Sequence, residues 1–111
     1  MKKFLPLVLI ALSAPAIAGS ETWRNVALVD AMCSAKVKAD PDKHTAECAI
    51  ACAKGGFGII TSDGSFLKFD EAGNAKALSA LKAGAKKDHL RVVVVGELDG
   101  ETIKVTSLTL Q

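Results

Sequence analysis

Between Asp30 and Gly56 the chain reads DAMCSAKVKADPDKHTAECAIACAKGG, a stretch that holds all three cysteines and one of the two histidines. Thiols in such a cluster can bridge, ligate a soft metal or act as nucleophiles. A bridge from Cys33 to Cys48 or Cys52 would tie the two ends of the stretch together, and closing a loop of that size contributes about 3 kcal/mol to a small domain. The alternative is a metal site for zinc or copper drawn from Asp30, Cys33, His44, Cys48 and Cys52. On one regular helix His44, Cys48 and Cys52 fall on a single stripe, a turn apart. Residues eight apart are separated by about 12 Å of rise, so His44 and Cys52 do not reach one ion together. A workable set takes His44 with Cys48, or Cys48 with Cys52, plus Cys33 and Asp30. The spacing is not the C-x-x-C of a structural zinc knuckle.

Catalysis has less behind it. Cys48 and His44 could form a thiol and its base, but a mid-helix thiol gains little from the helix dipole. The chain carries no C-x-x-C redox pair, no G-x-S-x-G elbow and no obvious carboxylate pair. His89 precedes a valine-rich strand and reads as a rim residue. The residues therefore favour a non-enzymatic protein with a structural disulfide and no cofactor, and zinc or copper as the alternative.

These side chains need elements to hold them. Asp40-Pro41 reads as a helix start and Gly55-Gly56 as its stop, with small residues from Thr45 to Ala53 between them. Trp23 to Met32 reads as a first strand that delivers Asp30 and then Cys33 to the stretch. Beyond it, Phe57 to Thr61 and Phe66 to Phe69 pair across Asp63-Gly64, a dipeptide suited to positive φ. Asn74 reads as the cap of a helix over Ala75 to Ala83, ended by Gly84. Leu90 to Leu98 and Thr102 to Leu110 form a last hairpin turning at Asp99-Gly100. Val92 to Val95 is a continuous branched run, as in a strand covered on both faces or closing a small barrel. Apolar positions shift parity from Ile103 and Val105 to Leu108 and Leu110, which predicts a bulge near Thr106-Ser107.

Strand, helix, hairpin, helix, hairpin is a mainly β order with two short helices. It resembles the OB-fold, a five-stranded Greek-key barrel, with the cysteine helix inserted after strand 1. The whole chain beyond residue 18 also resembles small exported bacterial proteins of uncharacterised function. The resemblance is carried by Asp30 and Cys33, by His44, Cys48 and Cys52, by Asp63-Gly64, and by Val92, Val94, Gly96 and Val105. It implies a fold and an exported location and brings no activity with it.

Residues 1–18 have the parts of a cleavable signal peptide: Lys2 and Lys3, the apolar run Phe4 to Leu12, and Ala16-Ile17-Ala18 before a mature start at Gly19. Export to the periplasm or beyond places the thiols in an oxidising compartment. Of 14 basic side chains, losing Lys2 and Lys3 leaves 12 against 12 acidic ones, so the mature chain is formally neutral. Such a balance offers no electrostatic grip on nucleic acid or on a membrane after cleavage. Lys82, Lys86 and Lys87 read as a solvated helix end. Residues 19–111 form one small OB-like domain, and its expected partner is a small ligand or a protein.

Overall fold

A computed structural model describes residues 20–111. The signal peptide and the start at Gly19 lie outside the described residues. Five strands, β1 (Ser20–Asp30), β2 (Phe57–Ile60), β3 (Phe66–Phe69), β4 (Arg91–Asp99) and β5 (Thr102–Leu110), close into a barrel in the order β1-β2-β3-β5-β4. Every pairing is antiparallel except β3 with β5, where Lys68 faces Thr102 and Phe69 faces Ile103. The architecture is the OB-like barrel that the element order predicts. Among the described residues, no helix is long and apolar enough to cross a membrane.

Alternation fills the barrel. Val92 and Val94 are fully buried while Val93 and Val95 are half-buried, so β4 closes the barrel with one face inside and the other only partly covered. Leu28, Ile59, Phe57, Leu90 and Ile103 complete the centre of the core. The parity change in β5 is a bulge: Val95 faces Ser107 but Gly96 faces Val105, which leaves Thr106 as the extra residue. A second bulge has no signal in the hydrophobic pattern. Trp23 faces Val94 and Val26 faces Val92, so β1 takes three steps where β4 takes two, and Asn25 adopts a left-handed φ of 52°.

Among the described residues three α-helices form rather than two: α1 (Ser34–Val37), α2 (Ala46–Ala51) and α3 (Glu71–Ala83). The start of α3 corrects the sequence reading. Its cap is Asp70, whose Oδ1 accepts from Gly73 N at 3.0 Å and from Val105 N at 3.1 Å. Asn74 lies within the helix, and its Oδ1 accepts from Phe57 N at 2.8 Å. Both residues are good caps in isolation; Asp70 is selected because its carboxylate serves the helix start and β5 together. In the β2–β3 turn only Gly64 takes positive φ, and the Asp63 carboxylate accepts from Ser65 N instead. The β4–β5 loop is Gly100-Glu101, closed by Asp99 facing Thr102, with Gly100 at φ 67° in the first loop position.

Candidate functional site

The cysteines lie in the insert between β1 and β2. Strand β1 ends at Asp30, whose side chain caps a 3-10 turn over Ala31–Cys33 by accepting from Cys33 N at 3.0 Å. The chain continues through α1, a second 3-10 turn at Pro41–Lys43, α2 and a third at Ala53–Gly55. Asp40 makes no side-chain capping bond; α2 starts at Thr45, whose hydroxyl accepts from Cys48 N at 3.1 Å. Pro41 opens a single turn that ends with His44 in extended backbone, so His44 leaves the helical stripe of Cys48 and Cys52.

The neck of the insert is closed by β1–β2 pairing, in which Asp30 faces Phe57, and by Ala31 N donating to Gly56 O at 2.8 Å. Cys33 stands three residues beyond one side of that neck and Cys52 five residues before the other. The fold therefore brings these two together, with Sγ atoms 4.3 Å apart and unbonded. Asp30 joins them, the three ligand atoms lying within 4.8 Å of one another. Cys48, a turn earlier on α2, is exposed and stands outside the group.

Asp30 is fully buried, and its second oxygen, Oδ1, accepts from His44 Nε2 at 2.6 Å. His44 is itself only 6% exposed, its ring turned in against Asp30 where the chain leaves the Pro41–Lys43 turn in extended backbone. It buttresses Asp30 from behind and adds no ligand atom to the Asp30, Cys33 and Cys52 group. Partial burial, then the adjacent Asp30 and Cys52, push the Cys33 thiol above its ordinary pKa. The corner can do two kinds of chemistry. Oxidation of the two thiols by an external acceptor would form one S–S bond of about 2.05 Å and release two protons and two electrons. Alternatively, two thiolates and a carboxylate supply three of the four donors that tetrahedral zinc takes.

A second polar feature holds the insert on the barrel. Arg91 donates from Nε and Nη2 to the two oxygens of Asp42, each at 2.9 Å, and from Nη1 to Asn25 O at 3.0 Å. The paired guanidinium holds the Asp42 carboxyl below its usual range, and Arg91 is raised in turn. Neither residue sits in a motif, and 49 positions separate them. The sequence carries no signal that would have joined them.

Fold and corner together define a small OB-like barrel whose β1–β2 insert presents a dithiol over a buried Asp–His pair. Comparison of the chain with protein-family models, with curated proteins and with solved structures finds no match.

Proposed function

We propose that the chain is an exported, non-enzymatic binding or accessory module whose β1–β2 insert is fastened by a disulfide between Cys33 and Cys52. The observation that carries this reading is the 4.3 Å approach of those two sulfurs, with Cys48 left exposed outside the group. Export is supported by the composition of residues 1–18, and an oxidising destination makes the bond permissible. The insert is a chain of short helical turns and is long for a barrel loop, so a covalent tie at its neck removes much of its freedom in the unfolded chain.

Thermal melts of oxidised and reduced protein test this. Reductant is expected to lower the melting temperature of the wild type and of Cys48→Ser by on the order of 10–20 °C, corresponding to about 3 kcal/mol. Cys52→Ser should start at the lower temperature and ignore reductant. A Cys48→Ser variant that loses its response to reductant would assign the bridge to Cys48.

A second reading is favoured by the third member of the corner. The Asp30 carboxylate has no role in a disulfide, yet it lies within 4.8 Å of both sulfurs. Zinc–sulfur bonds of about 2.3 Å place two tetrahedral ligands roughly 3.8 Å apart, close to the spacing of this pair. On this reading Asp30, Cys33 and Cys52 hold zinc or Cu(I), and His44 orients the carboxylate. In the same melts a chelator would then destabilise the protein, and added zinc would stabilise it with the logarithm of its concentration.

A further inference from the structure

Away from the cysteines, a cleft of about 520 Å³ opens between the first half of β1, the end of β2 and the insert. Arg24, Lys38 and Arg91 reach its walls, and no carboxylate residue does. Arg91 is already neutralised by its two bonds to Asp42. Arg24 and Lys38 have no ion-pair partner among the described residues. Two unneutralised cations lining one concavity raise its positive potential and favour an anion there. Trp23, the single tryptophan of the chain, also lines the cleft beside Thr61 and Ser62, half-buried and packed against the barrel core with part of its surface left open.

The backbone around this cleft is arranged at a cost. The β1 bulge places Asn25 at φ 52°, a left-handed conformation that asparagine tolerates better than other non-glycine residues and that still costs more than extended backbone. Here Arg91 Nη1 holds the Asn25 carbonyl while the other guanidinium nitrogens hold Asp42 beside Pro41. One side chain thus fixes both walls, the bulge on the barrel and the turn on the insert.

The geometry points to an anion-binding cleft that takes a small aromatic acid, its carboxylate or phosphate between Arg24 and Lys38 and its ring against Trp23. This rests on reading the chain as a binding module and is independent of the chemistry of the cysteine corner. A nucleic-acid strand suits the site less well, because a strand-binding groove repeats its aromatic platforms and this cleft has one.

Trp23 supplies the readout, since the chain has no other tryptophan and no tyrosine. Oxidised protein is titrated with benzoate, phenyl phosphate, inorganic phosphate and uncharged benzamide, following tryptophan emission and heat of binding. At least one aromatic anion should give a saturable change that weakens as salt is raised, and benzamide should bind at least about tenfold more weakly. Arg24→Ala and Lys38→Ala, both exposed positions, should each weaken binding by about tenfold with unchanged melting temperature, and Arg24→Lys should retain most of it. No saturable response to either aromatic anion, equal binding of benzamide, or full affinity in the Arg24→Ala/Lys38→Ala double variant overturns the proposal. Failure here with reductant-sensitive melting intact sinks the cleft and leaves the staple; a response to the anions with no Cys33–Cys52 bridge does the reverse.

Discussion

Asp30 is the residue on which the corner turns. One oxygen starts the 3-10 turn that presents Cys33, and the other is held by His44, so a single buried carboxylate fixes both the thiol and the imidazole. Removing the imidazole would leave Asp30 Oδ1 without its donor in a site water does not reach. We expect His44→Ala to cost about 2–4 kcal/mol, measured by urea unfolding, because an unpaired buried carboxyl costs more than the pair contributes. A variant within about 0.5 kcal/mol of wild type would mean that His44 is as peripheral as its sequence position suggests. Asp30, Cys33 and Cys52 were legible in the sequence as side chains able to bridge or ligate. The burial of His44 was not, because it depends on where a single 3-10 turn at Pro41 leaves the chain, and such a turn has no hydrophobic period to read.

At the scale of elements, α3 shows how tertiary contact overrides propensity. Glycine inside a helix ordinarily loses about 1 kcal/mol relative to alanine, and Gly73 stands three residues after the Asp70 cap of α3. At Gly73 an added Cβ would lie 2.4 Å from Val105 Cγ2 and 2.8 Å from Phe69 Cβ, both inside the packed barrel. Gly73→Ala is therefore expected to destabilise by about 1–3 kcal/mol in chemical denaturation, against the sign that helix propensity gives. A stabilised Gly73→Ala protein would show that α3 does not press on the barrel as closely as these contacts require. Both hairpins, the Thr106 bulge and the end of α3 at Gly84 follow from local signals of alternation and glycine. The cap of α3 does not, since Asp70 and Asn74 are equally good in isolation, and the choice was made by Val105 N and Phe57 N from other parts of the fold.

For the whole molecule, the order of strands and helices sufficed for the OB-like barrel, because hairpins and one crossover helix leave few ways to close five strands. What the order does not carry is the attachment of the insert. That rests on the Asp42–Arg91 pair, 49 positions apart, and on an Asn25 bulge whose left-handed backbone no pattern announces. In the proposed account the insert is held at two points, by that pair against the barrel wall and by Cys33–Cys52 at its neck. The second point is the central claim, and peptide mapping under non-reducing conditions tests it most directly. Protein from the periplasmic fraction, where the proposed export would place it, is alkylated before digestion and weighed intact under native conditions. The account predicts a Cys33–Cys52 linked peptide, an alkylated Cys48 and a mass without metal. Three alkylated cysteines with one equivalent of zinc or copper in the native mass, or a linked peptide containing Cys48, would contradict it.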